Sequence, residues 1–414
     1  MIALEILREK EGQKKVETML KKRGKNYNLK DFIKTDEDYR QSSKKLDELL
    51  ERRNILSKEI TPEAKERARK IKQDITDLKD IVKNQLRRRD DMWSFIPNFL
   101  DDRVPEGKSD KDNVVVKTYG TPKKFDFEPK WHDDLCIALD ILDIKAGTKV
   151  SGSGFYYWKG MGAKLVDAVL RFAMDTLLKR NFTQFYTPIL TKPSTLFGTG
   201  FLPFAEDQIF NVGTDNLALI GTSEQTLIAY HQDEVLDLKD KPKLYTALTP
   251  CFRTEAGSYG RDTKGIFRVH QFYKVEQIVI CEPQDSDRLL NYCQESIEQI
   301  LEALEIPYRT MILCGGDTGN ASSMTYDTEA WFVGYNTYRE VGSASNILEY
   351  QSRRLNIKCK NENGKPYYAH TISSTAAVER TVISLIEYYQ TKDGGIEIPR
   401  VLVPYMGGIT KITK

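Results

Sequence analysis

The sequence predicts an α+β protein in two parts, an N-terminal antiparallel helical hairpin followed by a domain on an antiparallel sheet. Three observations point there. The chain has 414 residues, two to three times an ordinary domain. Between Tyr39 and Asp91 it has no Gly and a single Pro, and apolar residues recur there at seven-residue spacing. Beyond residue 111 short β-prone runs mix with helical stretches, without the regular strand–helix alternation of a doubly wound fold. The reading places the boundary at 103/104, giving parts 1–103 and 104–414.

In the first part Tyr39, Leu46 and Ile60 fall on one ladder, interrupted by Arg53, and Ser42, Leu49 and Leu56 on the next. Thr61-Pro62 then breaks the run with Pro at a first helical position, and the pattern resumes with Ile71 and Leu78 beside Ala68, Ile75 and Val82. Two arms of roughly 25–30 residues would each reach about 40–45 Å. That is too thin for a core, so it reads as an arm. The stretch from Ile96 to Lys111, rich in Pro, Gly and Asp, serves as the linker.

Charge separates the two parts. The net charge is only +2, yet residues 1–100 hold 26 Lys and Arg against 19 Asp and Glu, and the remainder holds 36 against 41. A basic arm fits a polyanionic partner, and a solvated charged helix pair fits the same numbers. The arm-tip and arm-face cations are Lys65, Arg67, Arg69, Lys70, Lys72 and the triplet Arg87-Arg88-Arg89.

The composition, 40% hydrophobic and 29% charged, is that of a soluble globular chain. Six Cys never form a C-x-x-C pair and four His are scattered, which argues against a disulfide scaffold or a zinc cluster. No apolar run approaches 18 residues and the N-terminus is already charged, so neither a membrane span nor a signal peptide is expected. Free thiols and no export signal predict a cytosolic protein.

In the second part Gln208–Val212, Leu217–Ile220, Lys243–Leu248, Gln277–Cys281, Trp331–Val333 and Val401–Pro404 read as strands. Ala163–Lys179 and Ser286–Leu304 read as helices. There is no G-x-G-x-x-G and no P-loop, so any nucleotide must be held another way.

The stretch from Cys251 to Glu276 carries the chemistry. It reads as a strand ending in Arg253, a Gly-rich loop with Arg261 and Lys264, and a return strand bearing Arg268 and Phe272. Several cations round one loop suit a polyphosphate, because guanidinium forks match phosphate oxygens. Phe272 offers a ring for a purine. A basic surface hairpin with an inward-facing Phe is the plain alternative.

The same run, F-R-T-E-A-G-S-Y-G-R-D-T-K-G-I-F-R-V-H-Q-F-Y-K-V-E, resembles the second signature motif of class II aminoacyl-tRNA synthetases in the form typical of seryl-tRNA synthetases. Gly221-Thr222-Ser223-Glu224-Gln225 resembles that family's T-x-E loop. Asn336–Asn346 with Gln351–Arg354 resembles its ATP- and metal-binding strand. Pro188 stands where the Pro of the dimer-interface motif does, Phe197-Gly198-Thr199-Gly200 follows as in the family, and the tail Val401–Gly408 fits. The resemblance covers essentially the whole chain. It implies a class II catalytic domain behind a tRNA-binding hairpin, in a homodimer without membrane attachment. The implied activity is a serine–tRNA ligase, making seryl-adenylate from L-serine and ATP and charging the 3′ end of tRNA(Ser), with tRNA(Sec) open as a second acceptor.

Site roles implied by the resemblance follow position by position. Arg253 clamps the α-phosphate and the serine carboxylate, Arg268 and Arg380 reach the outer phosphates, and these three are the catalytic set. Thr254, Glu255, Val269, Phe272, Glu340, Val341, Gly342 and Ser343 complete the ATP site. In it Glu255 accepts from the adenine amino group, while Glu340 and Ser343 meet Mg²⁺ through ATP. Thr222, Ser223 and Glu224 bind serine from the loop, and Glu276 receives its hydroxyl or ammonium. From His370 to Arg380 the chain is one residue shorter than the usual pattern. Anchored on His370-Thr371, Ser373 and Thr375 enter the serine site, which is the preferred alignment. Anchored on Arg380, Ile372 and Ser374 do. The alternatives are a class II paralogue for another small amino acid or a non-tRNA acceptor, and an inactive RNA-binding homologue.

Overall fold

A computed structural model describes residues 1–58, 61–213, 216–239, 241–256, 264–360 and 363–414. The chain forms two units, Met1–Phe99 and Leu100–Lys414. The division falls four residues before the 103/104 of the sequence reading, because the Asp101 amide donates to the Ser323 carbonyl and Arg103 pairs with Asp287. Both partners belong to the second unit.

In the first unit the hairpin consists of α1 (Leu29–Leu56) and α2 (Pro62–Ser94). Asn28 caps α1 by accepting from the Asp31 amide. Thr61 caps α2 by accepting from the Ala64 amide, with Pro62 as the first helical residue. At 1.5 Å per residue the arms are about 42 and 50 Å long. The first arm begins ten residues before the sequence reading, because Leu29 and Phe32, one turn apart, are both buried and extend the apolar stripe. Ile71 and Ile75 are buried along α2, and Leu46, Leu49 and Leu56 are half-buried along α1, as the ladders require. Ile60 lies outside the described residues.

The arginine triplet does not sit at the arm tip. Arg89 is buried over the Tyr39 ring (4.5 Å) with its charge near Asp90 and Asp36, Arg88 meets Asp31 at 3.3 Å, and Arg87 meets Asp91 at 4.0 Å. Opposing carboxylates draw all three to the end of the hairpin where the termini of the arms meet. Lys65, Arg67, Arg69, Lys70 and Lys72 are exposed, and among the described residues their side chains enter no ion pair.

Asp36 locks this end. Its carboxylate, 4% exposed, takes two bonds of 2.9 Å from Arg8 and one of 3.1 Å from Arg40. Burial pushes its pKa up, but the Arg8 hydrogen bonds and the charges of Arg8, Arg40 and Arg89 outweigh that and hold it below the ordinary carboxylate value.

The second unit is an eight-stranded sheet. Its strands are β1 (Val114–Tyr119), β2 (Thr183–Gln184), β3 (Lys243–Phe252), β4 (Gln271–Cys281), β5 (Tyr308–Ile312), β6 (Met324–Phe332), β7 (Thr337–Leu348) and β8 (His370–Val378). Their spatial order is β1-β5-β6-β7-β8-β4-β3-β2, antiparallel throughout except for the β2–β3 pair. One face is sealed by α3 (Met161–Lys179), α5 (Ser286–Ala303) and α7 (Glu379–Tyr388); α4 (Glu224–Ala229) and α6 (Tyr350–Leu355) sit on the other. Alternation along β4 shows the division. Val275 and Val279 pack into the core with Leu177, Ile297 and Ile386, whereas Ile278 and Ile280 join a second cluster with Leu227 and Leu355.

Several strands differ from the sequence reading. β3 runs on to Phe252, β4 begins at Gln271, and Trp331 lies near the end of a strand that runs from Met324 to Phe332. Gln208 is in a 3₁₀ turn, leaving Asn211–Val212 as the strand. Val401–Pro404 is not a strand: Arg400–Leu402 is a 3₁₀ turn that buries Leu402, bracketed by Pro399 and Pro404, neither of which can donate to a ladder. Among the described residues no helix is long and apolar enough to cross a membrane.

A consequence for the hairpin is testable. Asp36→Ala leaves the buried Arg89 and the part-exposed Arg8 and Arg40 without their shared carboxylate and should destabilise the first unit by about 1–3 kcal/mol, read by chemical denaturation. Because the native carboxyl pKa is depressed, this stabilisation is present above the unfolded-state value and disappears as pH falls through the native one. Wild type should therefore lose its margin over Asp36→Ala on acidification below about pH 4.

Candidate active site

The site lies on the sheet face opposite the three helices and is built from alternate residues of β4. Phe272, Lys274 and Glu276 share that face by period two and line its cavities. Across the sheet Glu276 pairs with Thr375 of β8, which pairs with Ser343 of β7, which pairs with Asp327 of β6. One cross-strand row thus carries a carboxylate, two hydroxyls and another carboxylate.

At the row's end nearer β3, Glu276 is 1% exposed. Its Oε1 accepts from the Thr222 hydroxyl at 3.0 Å and the Thr375 hydroxyl at 3.1 Å, and pairs with the Lys274 ammonium. Thr222 also accepts from the Glu224 amide at 3.2 Å, which sets the first turn of α4. The Glu224 side chain accepts from Gln351 at 2.7 Å and from Ser373. Burial raises its pKa, with the Gln351 bond and Lys274 acting the other way. Gln351 is itself fixed by the Thr199 carbonyl and the Thr371 hydroxyl.

This register decides between the two alignments of 370–380. Ile372 is wholly buried in the core, and the Ser374 hydroxyl accepts from Gln277, whose amide also reaches the Cys293 carbonyl of α5. Ser373, Ser374 and Thr375 all border the cavity, but the Ser373 and Thr375 hydroxyls bond Glu224 and Glu276 whereas that of Ser374 is taken by Gln277, the arrangement of the His370 anchor. Ser223 is wholly buried and does not line the cavity.

The neighbouring cavity is lined by Arg253, Glu255, Phe267, Arg268, Val269, Phe272, Glu340, Val341 and Arg380. Arg253 lies over the Phe272 ring at 5.4 Å, and Arg380 over Phe267 at 4.6 Å. Three guanidiniums therefore crowd one space. Burial, together with Arg253 and Arg268, presses the Arg380 pKa below its ordinary value, and Glu340, 3.3 Å away, and Glu255 offset part of this. Such a cluster calls for a polyanion. In the free pocket Arg268 donates to Glu255 at 2.7 Å, so the residues read from sequence as phosphate and adenine contacts are joined to each other.

Other expected residues stand further back. Thr254 gives its hydroxyl to the Asp207 carbonyl and does not line the nucleotide cavity. A Cβ at Gly342 would meet Ile297 at 2.9 Å, so Gly342 lets α5 approach the sheet. Lys264 pairs with Asp133 and Asp134, each at 3.1 Å. Gly257–Thr263, and Arg261 with them, lie outside the described residues. Lys274 and Gln351 carried no role in the sequence reading. The period-two series Phe272, Lys274, Glu276 was the signal for the first.

A cation site can be tested on the same face. The β6–β7 register shifts by one residue between Gly342 and Glu340, and this puts Glu340 and Ser343 on one cavity wall. Asp327, opposite Ser343, has its pKa pushed well up by burial and by Glu340, an excess of negative charge that a cation would relieve. The donors are all oxygen, which suits a hard divalent ion. Among the described residues no three His, Cys, Asp or Glu converge to hold a metal ion.

Residues 209–389 match the family described as tRNA synthetase class II core domain (G, H, P, S and T). With an antiparallel sheet, an arginine-lined nucleotide cavity and this match, the chain belongs to the class II aminoacyl-tRNA synthetases. Its place among them is set by full-length relatives. The serine–tRNA ligase of Dictyoglomus turgidum is 40% identical over 98% of each chain, and that of a Sulfurihydrogenibium species 46% identical over 75% of each. The seryl-tRNA synthetase of Pyrococcus horikoshii, solved with ATP, superposes with a TM-score of 0.92 at 35% identity, covering 100% of this chain and 99% of that one. The cytoplasmic serine–tRNA ligase of Naegleria fowleri, solved with AMP, gives 0.88 at 31% identity, with the same coverage. The chain belongs to the serine–tRNA ligase family.

The register makes two substitutions diverge. Thr375→Val removes a hydroxyl that touches both Glu276 and Lys274, and should weaken serine-dependent ATP–pyrophosphate exchange by about 1–3 kcal/mol in kcat/KM. Ser374→Ala, whose hydroxyl serves Gln277 on the helix side, should stay within about threefold of wild type. The opposite ranking would move Ile372 and Ser374 into the pocket.

Proposed function

We propose that this chain activates L-serine with ATP, forming seryl-adenylate and pyrophosphate, and transfers the seryl group to the 3′ end of tRNA(Ser). The observation that carries the reading is the crowding of Arg253, Arg268 and Arg380 round one cavity beside a second that holds Glu276, Glu224 and Thr375. A serine carboxylate oxygen attacks the α-phosphorus and the bond to pyrophosphate breaks. Arg253, which lines both cavities, neutralises the two anions as they meet. Arg268 exchanges Glu255 for the outer phosphates, which frees Glu255 to accept from adenine, and Phe272 stacks under the base. Arg380 approaches the phosphates from the start of α7. Thr222 and Glu224 take the ammonium, and Glu276 the hydroxyl. Mg²⁺ held by Glu340 and Ser343 supplies charge neutralisation at the phosphates when bound. A terminal tRNA hydroxyl then attacks the mixed anhydride and AMP leaves.

The hairpin is the tRNA arm in this reading, with Lys65, Arg67, Arg69, Lys70 and Lys72 against the phosphate backbone. A homodimer is part of the same proposal: Tyr186 is 92% exposed on the stretch containing Pro188, with Ile189 and Leu190 also exposed. Six free thiols accord with a cytoplasmic setting.

Arg253→Ala should cost two to four decades in serine-dependent pyrophosphate exchange, about 3–5 kcal/mol of transition-state stabilisation. A loss under about threefold would remove Arg253 from its role. Replacing Lys44–Lys83 by a short linker keeps Asp36, Arg40 and Arg89. That variant should keep pyrophosphate exchange and lose tRNA charging, and charging by the full chain should fall steeply with salt. Unimpaired charging by the shortened chain would take the arm out of tRNA binding.

A further inference from the structure

Glu276 is held from one side. Thr222, Thr375 and Lys274 all converge on its Oε1, while Oε2 is buried and, among the described residues, accepts no hydrogen bond. A buried carboxylate oxygen without a donor is costly, so the arrangement is built for one that arrives with the substrate. Lys274, 7% exposed, also donates to the Thr375 hydroxyl at 3.2 Å. That hydroxyl therefore accepts from the ammonium and must send its own proton to Glu276. The ammonium thus fixes the proton order of the cluster and supplies the buried carboxylate's countercharge.

We infer that Lys274 is the positioning residue that sets selection for a hydroxyl-bearing amino acid, by holding Glu276 as an acceptor with one oxygen committed and the other reserved for the substrate hydroxyl. Without the ammonium, Oε1 loses its charged partner and the Thr375 hydroxyl is no longer held by Lys274. The carboxylate can then turn either oxygen to Thr222 and Thr375, and the pocket no longer demands a substrate hydroxyl. Alanine, which brings no donor, leaves Oε2 unsatisfied only while Oε1 is committed, so the pair rejects alanine as a unit. The inference rests on the serine-activating reading. Absence of serine-dependent exchange in wild type would sink that reading, whereas the outcomes below bear on Lys274 alone.

The test is Lys274→Met, which keeps length and removes charge. In pyrophosphate exchange kcat/KM for serine should drop at least about 30-fold, chiefly through KM, and for alanine by less than about threefold. The double variant Lys274→Met/Glu276→Gln should be no worse than Glu276→Gln, because an amide needs no countercharge. Equal losses for serine and alanine, or additive losses in the double variant, would overturn the inference.

Wild type provides a second arm should Lys274→Met fail to fold. Burial, and then Arg253, bring the Lys274 pKa down to about 8 against the opposing pull of Cys251, Glu224 and Glu340, with Glu276 and Thr375 in contact. The charged form prevails below that value. The serine-to-alanine ratio of kcat/KM should therefore decline as pH rises from about 7 to 9, and the ratio cancels most of the titration of the substrates' own amines. A flat ratio overturns the inference.

Discussion

The site depends on one constraint, the two-residue period of a central strand whose faces have opposite duties. On β4, Val275 and Val279 must reach the helical layer, so Lys274 and Glu276 are forced to the other side. The sealed face makes the polar one possible. Three helices fix the strand's height and tilt, and the side chains opposite them inherit that position without having to stabilise it themselves. A polar cluster carried on a loop would have no such backing. Here Glu276, Thr375 and Ser343 sit on strands paired on both sides, and Glu224 on a short helix whose first turn is tied to the strand through Thr222 and Gln351.

Charge balance is the second dependence. One cavity carries Glu224, Glu276 and Glu340 beside Lys274 and Arg253, opposite charges side by side that suit a zwitterion. The neighbouring cavity sets Arg253, Arg268, Lys274 and Arg380 against Glu255, Glu340 and Glu379. Two of these carboxylates are taken by arginines, Glu255 by Arg268 and Glu340 by Arg380. Each pair is a placeholder, because an incoming anion can replace the carboxylate on the guanidinium. Binding exchanges partners, so buried charges are not left bare at any stage.

The two-part α+β organisation and the hairpin were legible because helical ladders and a basic stretch are local signals. The family motifs were legible because they are contiguous. The strand limits were not, and the reason is functional. Arg, Thr, His and Lys interrupt the apolar run where β3 and β4 turn toward the cavity, so the strands read short at the ends that matter most. Val401–Pro404 misled in the opposite way: its apolar residues serve a buried turn, and only the flanking prolines betray it. The arginine triplet looked like a binding surface because its carboxylate partners, Asp31 and Asp36, lie more than fifty residues away. Lys274 escaped notice because the period-two series Phe272, Lys274, Glu276 places it on the cavity face without showing that it is buried beside a carboxylate.

The shortened segment before α7 shows how register protects a site from sequence change. A one-residue slip in β8 would turn Ser373 and Thr375 into the core and bring Ile372 and Ser374 to the cavity. That would put a buried hydroxyl against the helices and an apolar side chain beside Glu276. The slip does not occur, because Ile372 fills a wholly buried place and Ser374 is claimed by Gln277. The mismatch is taken up elsewhere. Between Thr375 and Ala377 the β4–β8 register shifts by one residue, so Ala376 has no partner opposite it on β4. Past this irregularity the strand enters α7 at Glu379 and delivers Arg380 to the nucleotide cavity. The positions on either side of the bulge are therefore fixed independently, the serine-site pair by the core behind β8 and Arg380 by the helix that follows. A length change between them alters the bulge rather than the chemistry.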